Sequence, residues 1–329
     1  MKGFHLHIYL LSFLLPGAGI PFAEWKDVKE PDLSELTEKF FSVEKDEFSL
    51  KEHSSPADLA ESGQGDPVFI VTDKKNNPIG VIKTISIEET DGKNSYKAEF
   101  AALDTLSHVP FKTFHIIQPK GSAETILNGK KTGLIAEELA AGNSLNHLLK
   151  KIANARGIER KSLFNELNRG VEKAALAMAE LHQYKTFAYP AHNYVIKFDT
   201  DHPPGPYGII HGDTHPGNIF YDANSDTLSF IDFGSTHLER KGAPILQDVG
   251  NFLLTLEIFS AYYKLSPTEA ATLENNFMEI YRSKIPHATD KAIEFYKRYY
   301  IKTFLNSQIF DAAQSSQAKF IQSYCNEIA

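Results

Sequence analysis

Apolar positions change their spacing several times along the chain, and each change predicts a different element. From Asp32 to Phe41 they recur at helical spacing, which predicts a short amphipathic helix. From Pro67 the pattern tightens. Val68–Val71 is a β-branched run, residues 73–78 (Asp-Lys-Lys-Asn-Asn-Pro) are turn formers, and Ile79–Lys83 is a second run, so a hairpin is predicted. Tyr96, Phe100, Leu103 and Ser107 return to helical spacing and predict a short helix from about Asn94. Leu134-Ile135-Ala136 is one more apolar run, placed just before Glu137. After Gly142 strand signals thin out. Leu163, Leu167, Val171, Met178 and Leu181 form one stripe of a long helix ending near His182. The segment His211 to Gly234 has strand–loop–strand character, and beyond Asp248 the pattern is almost wholly helical. Ser266-Pro267-Thr268-Glu269 there gives a helix start with a capping Ser, an early Pro and a Glu three residues on. A strand-rich first part followed by a mainly helical second part makes this an α+β chain.

Composition narrows the function classes. A chain of 329 residues with 42% hydrophobic and 12% aromatic content is globular and long enough for two cores. A formal charge of −8, with basic residues scattered, argues against a nucleic-acid surface as the main business. Cys325 is the single cysteine, so neither an intrachain disulfide nor a cysteine zinc site is expected. Residues 1–23 hold a basic start, a short apolar run (Ile8 to Leu15) and small residues near Ala18 and Ala23. They read as a signal peptide, or alternatively as a buried N-terminal apolar segment. The run is too short to span a bilayer, and no other stretch is long and apolar enough to do so. Export would carry the protein away from the cytoplasm, so its location is left between the two.

The chemistry concentrates in His211-Gly-Asp213-Thr-His215-Pro-Gly-Asn218 and Ile231-Asp232-Phe233-Gly234. Two Asp and one Asn near the ends of two short apolar runs suit a metal–phosphate site. Asp213 would take a proton from an attacking hydroxyl, and Asn218 and Asp232 would give magnesium hard oxygen ligands. Lys83 ends an apolar strand, where a charge is costly unless it meets a phosphate or a carboxylate. Ser62-Gly63-Gln64-Gly65-Asp66 precedes the hairpin, and its glycines would let backbone N–H groups approach phosphates. A plain loop is the equal alternative. A zinc site on His211 and His215 would need a helix to put both on one face, which Gly212, Pro216 and Gly217 oppose.

These residues together resemble the aminoglycoside phosphotransferase and choline kinase group, which shares the protein-kinase fold. The resemblance implies two lobes, an N-lobe over 24–136 and a C-lobe over 137–329. It implies ATP or GTP as co-substrate, Mg2+, and transfer to a hydroxyl of a small-molecule acceptor. By the same resemblance Asp213 is the catalytic base and Asn218 and Asp232 hold the metal. Lys83 and Glu99 form the ion pair that holds the nucleotide phosphates, Gly63 and Gly65 lie in the covering loop, and Glu137 opens the connection whose backbone reads the base. Asp248 is expected to brace the catalytic loop, and His182 to be a packed core residue. His215 stands where protein kinases usually carry Lys, and only about a dozen residues separate Gly234 from Asp248, which favours a small-molecule acceptor over a peptide. A protein kinase-like enzyme and a nucleotide-binding pseudoenzyme are the alternatives. Acidic residues after Asp248 (Glu257, Glu269, Glu274, Glu279, Glu294) would either hold a cationic amine or be solvated.

Overall fold

The computed structural model describes residues 31–44, 47–52, 67–87, 92–184, 186–187, 206–234, 236, 243–305 and 316–329. The N-terminal segment 1–23 and the glycines Gly63 and Gly65 lie outside the described residues.

The first half is built on a five-stranded antiparallel sheet. Helix α1 (Pro31–Phe41) precedes β1 (Phe48–Glu52), β2 (Val68–Asp73) and β3 (Pro78–Ser86), followed by helix α2 (Gly92–Ser107). After the two-residue strand β4 (His115–Ile116) come β5 (Pro119–Leu127) and β6 (Lys130–Glu137), giving the sheet order β1-β2-β3-β6-β5. The β2–β3 hairpin forms where the turn formers predict it. Asp73 Oδ1 accepts from the backbone N–H groups of Lys75 and Asn77, both at 2.8 Å, so the side chain itself closes the turn. The edge strand β5 carries no clear apolar run, because it alternates half-buried and exposed positions along most of its length. It escapes sequence reading for that reason.

The sheet has two unlike faces. Ile82, Leu134 and Ala136 pack with Leu33 and Phe40 of α1 in a small apolar cluster. Ile135, on the opposite face, joins Tyr96, Leu103 and Leu106 of α2 in the larger core, which continues into the helical half.

That half contains α3 (Leu145–Asn154), α4 (Gly157–Tyr184), α5 (Leu246–Tyr262), α6 (Pro267–Lys284), α7 (Asp290–Leu305) and α8 (Ser316–Ile328). Of the predicted stripe on α4, Leu167, Val171, Met178 and Leu181 are fully buried. The α6 start carries the predicted capping box, Ser266 with Glu269. A second sheet, in the order β4-β11-β10-β7, is built from β4, β7 (Asn143–Ser144), β10 (Ile219–Asp222) and β11 (Thr227–Phe230). Short strands β8 (Thr186–Phe187), β9 (Tyr207–Gly208) and β12 (Ala243–Pro244) form a third. The chain is thus a mixed α+β protein, with eight helices among the described residues. None of these is long and apolar enough to cross a membrane.

The link between β6 and β7 needs glycine at its end. Gly142 has φ +82°, and a Cβ there would lie 2.1 Å from the carbonyl oxygen of Tyr221.

Candidate active site

The β10–β11 hairpin brings the two halves of the motif side by side. Its register pairs Ile219 with Phe230, so Asn218 enters the hairpin directly across from where Ile231 and Asp232 leave it. The backbone N–H of Ile231 donates to Asn218 O at 3.1 Å, extending the ladder by one step. Asp232 then turns with φ +65°, a left-handed conformation that Asp tolerates better than most residues. Such geometry recurs where a side chain is aimed for function.

The loop before β10 is fixed by two histidines. A carbonyl oxygen only accepts, so His211 Nε2 donates to Ile231 O at 2.8 Å, leaving Nδ1 to accept from the Asp213 backbone N–H at 3.2 Å. Burial lowers the pKa of His211, and the ring is the neutral Nε2–H tautomer. His215 Nδ1 accepts from Gly217 N at 3.0 Å, so its proton sits on Nε2, 3.8 Å from Asp213 Oδ2. Burial pushes the His215 pKa down to about 3, keeping the ring uncharged. With both His211 nitrogens and one of His215 committed to peptide groups, the pair is not arranged as zinc ligands. Among the described residues no group of three or more His, Cys, Asp or Glu is arranged to hold a metal ion.

Asp248, at the start of α5, braces this loop from below. It is fully buried, and it accepts from the backbone N–H groups of His211 and Gly212, both at 2.8 Å, and from His182 Nε2 at 3.1 Å. With Nε2 donating, His182 Nδ1 is left to accept from the Tyr281 hydroxyl at 2.8 Å. Thr214 Oγ1 donates to Asp248 O at 2.7 Å. His182 is indeed a packed residue, here one link of a closed polar network.

Facing the loop from the five-stranded sheet, Lys83 on β3 ion-pairs with Glu99 of α2 and, at 3.2 Å, with Asp232. Burial opposes the charge on Lys83, but Asp232 and Glu99 outweigh it and hold the ammonium well above its ordinary range. Asp232 shows the reverse balance: burial works against its charge, and Lys83 wins, keeping the carboxyl below its usual value. For Glu99 burial prevails, and its pKa is raised despite Lys83. Asn218 lies against Asp213, its Nδ2 donating to Asp213 O at 3.1 Å and to Oδ2 at 3.3 Å.

Glu137 ends β6, and its side chain is 3% exposed on the Lys83 side of the sheet. Burial, working against Lys83, pushes its carboxyl up to about 8. The sequence points to the backbone after this residue, not to its side chain, because burial here depends on pairing with β3. In that connection the Glu138 N–H is already used, donating to Gln118 O at 3.0 Å.

Of the sequence-derived site residues, the structure brings Lys83, Glu99 and Asp232 into one ion-paired cluster. It joins Asp213 to Asn218, and it places Glu137 within electrostatic reach of the cluster. Tyr281, Thr214 and Thr236 are additions. Thr236 Oγ1 donates to His211 O at 2.8 Å; Thr214 lies within the motif itself and Thr236 just beyond it, whereas no spacing in the sequence links Tyr281 to the loop it holds.

Among protein-family models, that of the phosphotransferase enzyme family, APH, matches residues 124–273. This span includes β6, the connection, the His211–Gly234 segment and Asp248, and it bears out the resemblance to the aminoglycoside phosphotransferase and choline kinase group. No curated protein matches the chain.

Proposed function

From the match to the phosphotransferase enzyme family, which covers Asp213, Asn218 and Asp232, we propose that the protein transfers the terminal phosphate of ATP or GTP to a hydroxyl of a small molecule. The observation that carries the reading is the convergence of Lys83, Glu99 and Asp232, drawn from three separate elements, beside the bonded pair Asp213 and Asn218. On this reading the five-stranded sheet with α1 and α2 serves as a nucleotide-binding lobe (24–136). Residues 137–329 form the lobe that positions the acceptor.

The roles follow from the chemistry of each group. Lys83, held by Glu99, meets the nucleotide phosphates as a charge that needs no reorganisation on binding. Asp213 accepts the proton of the acceptor hydroxyl while the new O–P bond forms and the bond to the departing nucleoside diphosphate breaks. The donor set fits magnesium: Asn218 spends its amide nitrogen on Asp213, so the other end of the amide is a carbonyl oxygen, and Asp232 adds a carboxylate. Two protein oxygens completed by phosphates and water are a common magnesium arrangement. When bound, the metal would neutralise charge developing on the phosphates. Asp248 keeps the loop backbone in place, so that Asp213 is presented in one orientation.

The test is a magnesium-dependent transfer screen with radiolabelled ATP and GTP over hydroxylated amines, sugars and generic proteins. Asp213→Ala and Asp232→Ala should each lose transfer by about a hundredfold or more with the far-UV circular dichroism unchanged. Full activity in either folded variant would sink the mechanism. Labelling of protein alone would replace the small-molecule acceptor with a protein.

A further inference from the structure

Glu137 is the one member of the cluster whose side chain has an unmet need. In the β3–β6 register Lys83 faces Ile135 and Val81 faces Glu137. Facing residues share a side of the sheet, and positions two apart do too, so Glu137 projects on the same side as Lys83, away from α1. It is also the last residue of β6, directly before the connection over 138–142. Its carboxyl is buried, and Oε1 has no hydrogen-bond partner among the described residues. The ion pairs of Lys83 go to Glu99 and Asp232 instead. A buried carboxyl oxygen without a donor is costly, and an apolar side chain would fill the position without that cost. The exception calls for a donor that arrives from outside the chain.

We propose that the Glu137 side chain is a specificity-determining group for the nucleotide base, accepting a hydrogen bond from the exocyclic amino group of a 6-aminopurine. The inference rests on the nucleotide reading above. With the phosphates at Lys83 and the base against the 138–142 connection, Glu137 lies between the two and meets the inner edge of the base. In either protonation state a carboxyl keeps an acceptor oxygen. An amino group satisfies it in either state, whereas a 6-oxo group facing the ionised carboxylate sets acceptor against acceptor and leaves both unpaired, a mismatch that discriminates more strongly than lost apolar contact.

The experiment measures binding of ATP, ITP and the 6-unsubstituted purine riboside triphosphate, each with magnesium, to the full chain at about pH 9, where the Glu137 carboxyl is ionised. Tripolyphosphate on the wild type serves as a baseless control. Wild type should bind ATP at least about tenfold more tightly than the other two nucleotides. Glu137→Leu should bring the three together by weakening ATP. Glu137→Gln, nearly the same shape, should shrink the ATP/ITP ratio because its amide can turn an N–H toward the 6-oxo group. An ATP/ITP ratio unmoved in Glu137→Gln, or a wild type that prefers ITP, overturns the proposal while leaving the nucleotide reading in place. Failure of all three nucleotides and tripolyphosphate to bind overturns that reading and this inference together.

Discussion

Asp248 and Glu137 are both buried carboxyl groups within one site, and their surroundings differ in every respect. Asp248 accepts from two backbone N–H groups and one imidazole, and its carbonyl takes a fourth bond from Thr214. Two of its partners are in turn fixed by the fold, His182 by Tyr281 and His211 by Ile231. Glu137 shares one cation with two other carboxylates, and among the described residues it makes no ion pair with it and leaves Oε1 unpartnered. A satisfied network costs little to bury and holds a loop still. An unsatisfied carboxyl costs free energy in the resting protein and keeps its bonding capacity for a ligand. The difference separates residues that support the site from residues that await something in it.

Three perturbations would break or sharpen this contrast. The largest effect should come from Asp248→Ala, which strips acceptors from His211, Gly212 and His182 at once. A loss of about 3–5 kcal/mol in urea unfolding is expected, and an unchanged midpoint would show that the network supports nothing.

Next comes pH, where Glu137 is the sensitive group. Its folded pKa of about 8 lies above its ordinary 4.5, so the folded state holds the proton more tightly. Its contribution to stability is full below about pH 4.5 and is lost as pH rises through 8. Glu137→Gln should therefore flatten the fall in stability between pH 5 and 9, as read by urea midpoints. Parallel curves for wild type and variant would remove Glu137 as the cause. His215 slopes the other way: its pKa is depressed, so it weakens the fold as pH falls below about 6.5 toward 3. The two groups can thus be read in separate arms of the profile.

The smallest effect is Tyr281→Phe, which leaves His182 Nδ1 buried without its donor at a cost of about 1–3 kcal/mol. Stability equal to wild type would mean that the network ends at His182.

How much of this the residues announced depended on how local the cause was. The His211–Gly234 motif is legible because its parts lie on one hairpin, whose short turn fixes who faces whom. The β2–β3 hairpin is legible because Asp73 and Asn77 close it with their own bonds. Glu99 could be named as the partner of Lys83 only through family resemblance, since nothing in a 16-residue separation brings a helix onto a strand. Tyr281 sits 99 residues from His182, and the buried side chain of Glu137 depends on pairing with β3. Both are products of tertiary packing, which a one-dimensional pattern does not carry. Strand β5 was invisible for another reason: an edge strand with one half-buried face needs few apolar residues.

The β3–β6 register has a consequence for which lengths of chain this protein can tolerate. Ile82 lies in the α1 cluster and Lys83 in the ionic one, a single residue apart. Deleting one residue between Ile79 and Lys83 would exchange those addresses, sending a lysine into hydrocarbon and an isoleucine among carboxylates. The Asn128-Gly129 tip of the neighbouring β5–β6 hairpin carries no such constraint, since a Cβ on Gly129 would meet nothing within 4 Å. Natural or engineered length variants should therefore collect at that tip and be absent from β3.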